Sequence, residues 1–153
     1  MNNLIGAEDV IELAFSPTDQ ISADTIIKSK ITAAEQRYIR PALGDDLYEA
    51  LMRGEYAELT SEYVAPALAM YVRYLVIPDI SVKLNDLGAQ AIHGEHLSSA
   101  TIEERREARM QTRDDADTLL SGMLRHLQAN NDAYPEYQEM KRKRTKIIGG
   151  IIL

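Results

Sequence analysis

His93, Glu95 and His96 are the one cluster whose residue types suit metal ligation. Zinc takes three or four ligands. The remaining histidine, His126, falls far downstream beside an apolar stripe, and the sequence has neither a cysteine nor a His-Glu-x-x-His pattern. A metal-free loop is therefore the favoured reading. Carboxylates cluster as Asp45 with Asp46, Glu103 with Glu104, and Asp114 and Asp115 with Asp117. Each set falls where helix capping or a solvated face accounts for it, and adjacent residues on a helix do not face one another. No phosphate-binding glycine loop and no Gly-x-Ser-x-Gly elbow occurs. These residues point away from an enzyme, and no cofactor is expected.

Two other groups suit contact rather than catalysis. The first is the tail, where the basic run Lys141, Arg142, Lys143, Arg144 and Lys146 leads into Ile147, Ile148, Gly149, Gly150, Ile151, Ile152 and Leu153. The run reads as a solvated segment, as a contact with an acidic neighbouring subunit or, third, as a phosphate contact. The apolar end is β-prone and unsafe if exposed, so we expect an extended strand against its own chain or a neighbour. The second group lies between Asn85 and Ser99, where two glycines and no helical period predict a long loop or hairpin. Leu87, Gly88, Ile92, His93 and His96 are its candidate contact residues. Tyrosine is abundant, with eight against one Phe and no Trp. Tyr38, Tyr48 and Tyr71 read as core residues whose hydroxyls reach the surface, and Tyr134 and Tyr137 as interface residues beside the tail.

The elements that position these groups are helical. Residues 21–54 hold the best-formed pattern, and we expect the rest to organise around it. Ile27, Ile31, Ala34 and Tyr38 recur at steps of four, three and four, so they share one helix face, away from Lys28, Lys30, Glu35 and Arg37. Ser22 or Asp24 is the expected cap, and Pro41 with Gly44 the expected close. A short helix with Leu47, Tyr48, Ala50 and Leu51 then runs to Gly54. Residues 4–15 predict a helix of two or three turns with Glu8 and Asp9 at its positive end. Thr60 or Ser61 caps a third helix that is apolar or small on most faces and closes near Ile77, before Pro78; Ile80, Val82 and Leu84 then alternate with polar residues, which leaves both a short extended piece and a helical continuation open there. From Thr101 to about Asn130 a long helix carries Ala116, Leu119, Leu120, Met123, Leu124 and Leu127 in a core stripe. Its first half is charged all round, so that half projects or lines an interface.

A chain of 153 residues suits one domain, residues 1–153, with residues 141–153 as a C-terminal arm. The net charge of −7 argues against a protein that grips nucleic acid. No secretory leader opens the chain, and residues 64–80 carry Arg73, Asp79 and two prolines, which suits a buried helix better than a membrane span. We read a soluble, intracellular, mainly α protein: a small helical bundle with a long central loop and an extended tail.

The order of features also resembles a known group. Residues 31–51, reading ITAAEQRYIRPALGDDLYEAL, the glycine-bearing stretch around Gly88, residues 98–100 opening a charged helix, residues 115–127 within it, and residues 130–137, reading NNDAYPEY, carry the resemblance. The sequence is similar to a family of proteins from Bacteroidetes phages and prophages, which look in turn like the helical head-tail connectors of tailed phages. The resemblance implies a virion structural protein without cofactors at the neck, assembled in the host cytoplasm. It would form a ring, with rings of twelve copies usual for the class. The ring would bind the portal protein and a further connector or tail protein, and DNA would slide through its lumen. An acidic surface fits that passage, since like charges do not bind. The alternative is a helical interaction module outside the virion, such as an assembly chaperone or regulator; a small metal enzyme using residues 93–96 is third.

Overall fold

Residues 65–72 are small or apolar on every side, and a helix of that kind can be satisfied only by neighbours all round it. The computed structural model describes residues 2–91 and 102–137, with side chains for 2–80 and 102–137. In it, α6 (Ala65–Ala91) buries Ala67, Leu68, Ala69, Tyr71, Val72 and Val76. Helices α1 (Ala7–Ala14), α2 (Lys28–Ala34) and α7 (Ile102–Ala129) all pack on it. The bundle is thus organised around α6, not around the helix pair of residues 21–54. That pair is amphipathic, whereas α6 has no polar face over its first turns to turn outward.

Helix α1 starts where the Asp9 carboxylate accepts the Gly6 N–H at 2.7 Å. Its far end is closed by α6: Arg73 Nη1 donates to the Ala14 carbonyl at 2.5 Å, with the guanidinium 5.0 Å from the Phe15 ring centroid. A cation on the carbonyl end of a helix is favoured by the dipole.

Three expectations about the next helix change. Ser22 opens only a 3-10 turn, Ala23–Thr25, and α2 begins at Lys28. Ile27 is consequently its N-cap and 50% exposed, while Ile26 takes the core position at 3%. Pro41 does not end the helix. A π-helical turn, Glu35–Ile39, connects α2 to α3 (Arg40–Leu43), and Arg40 N–H reaches back five residues to the Glu35 carbonyl. Pro41 sits where the ladder returns to four-residue spacing, so a missing N–H falls at a break already present. The same device recurs before α6, where Thr60–Val64 is a π turn and Pro66 follows it at the same interval.

Glycine does close the chain where expected. Gly44 (φ 86°) separates α3 from α4 (Asp45–Met52), and Gly54 (φ 85°) ends α4. There Gly54 N–H bonds the Leu51 carbonyl at 2.9 Å and Glu55 N–H the Ala50 carbonyl at 3.1 Å, a Schellman closure. The following helix starts earlier than expected, with α5 (Ala57–Leu59) entered through Tyr56 at φ 55°, so Thr60 and Ser61 fall in the π turn that continues it rather than capping a helix start.

Two further corrections concern α6. It runs through Pro78, and its backbone remains helical to Ala91, so Leu87 and Gly88 lie on a helix and not in a loop. Pro78 leaves the Tyr74 carbonyl without its usual donor. Arg109 Nε of α7 supplies one at 3.5 Å, with its guanidinium 4.3 Å from the Tyr74 ring centroid. A single helical glycine costs only about 1 kcal/mol relative to alanine, so Gly88 does not break the run.

In α7, Ala116, Met123 and Leu127 are buried, Leu120 and Leu124 lie against the core, but Leu119 is 39% exposed. It sits off the 116–120–123–127 line that faces α6. The described residues form no strand. The expected β tail, residues 141–153, lies outside them, as do Ile92, His93 and His96. Among the described residues no helix is long and apolar enough to cross a membrane.

Candidate interaction surface and its buried anchors

Glu35 was placed among polar, outward residues by its type, yet it is 1% exposed. The signal was present: Ile31, Glu35 and Ile39 follow one another at steps of four, so a carboxylate stands in line between two core isoleucines. Three donors make its burial tolerable. Tyr48 of α4 donates its hydroxyl to Oε1 in a short hydrogen bond, and Gln36 donates Nε2 to that hydroxyl at 3.1 Å. Oε2 accepts the Leu4 N–H at 3.0 Å and Asn3 Nδ2 at 3.3 Å. An ionised carboxylate only accepts, so this set of donors stitches residues 3–4 and α4 to the π turn.

Burial, followed by the hydrogen bond to Glu35, pushes the Tyr48 hydroxyl up from 10.0 to about 12. Between these values the folded chain keeps a proton that the unfolded chain has lost. Stability is full below pH 10 and falls above it by up to about 1.4 kcal/mol per pH unit. Tyr48→Phe should lessen the total alkaline slope by this share, other raised tyrosine hydroxyls keeping theirs, which urea midpoints at about pH 9 and about pH 11 would measure. Equal alkaline losses in both proteins would show that Tyr48 does not carry the effect.

A second cluster ties the α6–α7 hairpin to the bundle. The two helices run antiparallel, since Tyr71 meets Asp117 while Tyr74 meets Arg113 and Arg109. Tyr71, fully buried, stacks on Tyr38 with centroids 4.0 Å apart and planes at 10°. Its hydroxyl donates to Asp117 Oδ1 at 2.5 Å, and Arg113 Nε pairs with the same oxygen at 3.2 Å. Burial first, then the bond to Asp117, holds the Tyr71 hydroxyl well above its usual value. Asp117 is therefore more than a solvated carboxylate. The Arg113 guanidinium lies 4.9 Å from the Tyr38 centroid and 5.4 Å from that of Tyr74, a cation over aromatic faces.

Past this root the first half of α7 leaves the core. Along residues 102–111 nearly every side chain is exposed, including Ile102 at 83% and Met110 at 51%. The outward position of these residues is what the charge on every side of the first half of α7 predicts, and they form the candidate interaction surface.

The third cluster corrects the expected interface tyrosines. Tyr137 is 2% exposed within its own chain. Tyr134 is half-buried, edge-on to Tyr56 at 5.1 Å and hydrogen bonded through its hydroxyl to His126 Nε2 at 3.1 Å. His126 in turn stacks on Tyr63 at 4.2 Å. Asn130, Asp132 and Pro135 turn the chain back after α7, so these aromatic rings pack on the bundle of their own chain. Of the remaining expected contact residues, Lys141, Arg142, Lys143, Arg144, Ile147, Ile148, Ile151, Ile152 and Leu153 lie outside the described residues. Among the described residues no three His, Asp or Glu side chains converge to hold a metal.

Comparison with known families matches residues 18–147 to a family of unknown function (DUF6712). The chain belongs to that family. The DUF6712 match covers the π turn with Glu35, α4, the α6–α7 hairpin and the closing tyrosines; α1 and the Glu35 partners Asn3 and Leu4 precede it. No curated protein and no solved structure matches the chain.

Proposed function

We propose that this protein is a virion structural protein, a head-tail connector that assembles as a ring between the portal and a further connector or tail protein, with DNA passing through without specific binding. The observation that supports this reading most is the α6–α7 hairpin. Helix α7 is 28 residues long, yet its first ten bury almost nothing. A helix polar all round gains little from its own chain, so a neighbouring surface is the natural complement to its exposed Ile102 and Met110. The acid-rich balance of the chain suits a lumen that DNA must cross. The connector resemblance of residues 31–51, 115–127 and 130–137 supplies the class of assembly, and the β-prone arm of residues 141–153 belongs to the same reading.

Electron microscopy and mass measurement of the purified chain, with quantitation in purified particles, test it. A ring and stoichiometric presence at the portal vertex are expected; a stable monomer absent from virions would assign the chain to the non-virion interaction modules instead. Met110→Glu should keep the circular dichroism signal and change stability by no more than about 0.5 kcal/mol, because the site is exposed. Ring formation should nevertheless drop severely. Undiminished rings from Met110→Glu would remove the hairpin from the interface.

A further inference from the structure

The hydrogen bonds that hold residues 2–15 to the bundle all go to residues beyond the connection that follows them. Asn3 Nδ2 donates to Thr32 Oγ1 at 3.0 Å, the Leu4 N–H to Glu35 Oε2 at 3.0 Å, and Arg73 Nη1 to the Ala14 carbonyl. Val10 and Ala14 are buried. The start of this arm is bordered by open space on two sides. A groove of about 580 Å3 towards α4 and another of about 470 Å3 towards α2 are both lined by Asn2, Asn3, Leu4 and Ile5. Little else has to move when the arm lifts.

The connection, residues 16–25, is built differently. None of its residues is buried, and its hydrogen bonds reach no further than Ile26. The Ser16 N–H bonds Asp19 Oδ2 at 2.7 Å, and the Thr25 N–H bonds the Ser22 carbonyl at 3.0 Å. Gln20 is held at φ 50° and ψ 39°, in the left-handed region that a Cβ makes unfavourable. Pro17 fixes a further φ close to the arm. A strained, exposed connection of this kind favours exchange between copies. The contacts of the arm are the same in a neighbour's slot, so opening the connection releases strain at no loss of contact. Extended, residues 16–25 span about 33 Å, comparable to the width of a domain of this length.

We propose that residues 2–15 are an exchangeable arm, and that in the assembled protein the arm of each copy occupies the slot on α2, the π turn and α6 of a second copy. Glu35 then takes the Leu4 N–H of the incoming arm, Arg73 closes its α1, and its Val10 and Ala14 fill the same core positions. Passed head to tail, such a contact closes into a ring. The inference rests on the ring reading for its neighbour and adds what links one copy to the next.

Asp9 of the arm and Lys28 of α2 line the same groove, so carbodiimide coupling can join them in the unaltered chain. In protein assembled from an equal mixture of isotope-labelled and unlabelled chains, about half of the Asp9–Lys28 cross-links should pair a labelled with an unlabelled peptide, as random exchange between copies requires. Rings whose cross-links are all of one isotope would overturn the exchange and leave the connector reading standing. Mixed cross-links in an oligomer absent from virions would support the exchange and overturn the connector reading. Gln20→Gly accepts the left-handed conformation without strain, so it should lower the mixed share several-fold, and an unchanged share counts against the proposal. The sequence has no cysteine, so Asn3→Cys with Thr32→Cys gives a second reading. Oxidation of the assembled protein should link chains into covalent multimers; disulfides closed within single chains would overturn the exchange.

Discussion

Replacing Glu35 with alanine is expected to lower the free energy of unfolding by about 3 kcal/mol, because it strands buried donors and opens a void among core side chains. The Tyr48 hydroxyl loses its acceptor inside the fold, where Tyr48 is only 5% exposed. Leu4 N–H and Asn3 Nδ2 lose theirs nearer the surface, where water recovers part of the loss. For a chain of this length the melting temperature should fall by roughly 6–12 °C. Glu35→Gln should cost less, about 1–2 kcal/mol, since it keeps the volume and one acceptor but turns a donor toward the Leu4 N–H or the Tyr48 hydroxyl. Urea unfolding measures both, and amide exchange at Leu4 should quicken in the alanine variant even under native conditions. A loss below about 1 kcal/mol for Glu35→Ala would show that the three hydrogen bonds are not what holds residues 3–4 and α4 to the π turn.

Tyr71→Ala should be at least as damaging, at about 4 kcal/mol, since it removes a fully buried ring from the point where the π turn, α6 and α7 meet. Tyr71→Phe keeps the ring and its stacking on Tyr38 and loses only the hydrogen bond to Asp117, so about 1 kcal/mol is expected. The exposed Asp117 carboxylate is rehydrated when the hydroxyl goes, which keeps that cost small. Combining Tyr71→Phe with Asp117→Ala should cost less than the sum of the two single changes, as partners in one bond do. If alanine and phenylalanine at this position cost the same, packing at the hairpin root would not be the dominant contribution.

Local regularities were legible in the residues alone. The stop at Gly54, with φ 85°, followed from the conformational freedom of a residue without Cβ. The enclosed start of α6 followed from having no polar face to expose, and the split character of α7 from charge on every side of its first half. Terminators were misread. Pro41 follows a π turn, and Pro78 is tolerated with Arg109 reaching the Tyr74 carbonyl. In both cases a shifted ladder or a donor absorbs the missing N–H, and sequence spacing shows neither.

The candidate site divides in the same way. Helix periodicity depends on neighbours three and four residues away, so the sequence by itself determined that the protein is built from helices, that Gly44 and Gly54 interrupt them, and that the charged half of α7 faces outward. Which polar residues go inside depends on partners far along the chain. Glu35 is held by Asn3, Leu4 and Tyr48, and Tyr71 by Tyr38 and Asp117. Tyr137, fit by type for an interface, was taken into the core by the turn after α7. The tertiary structure alone decided these, because burying a carboxylate or a hydroxyl is tolerable only where donors and acceptors converge.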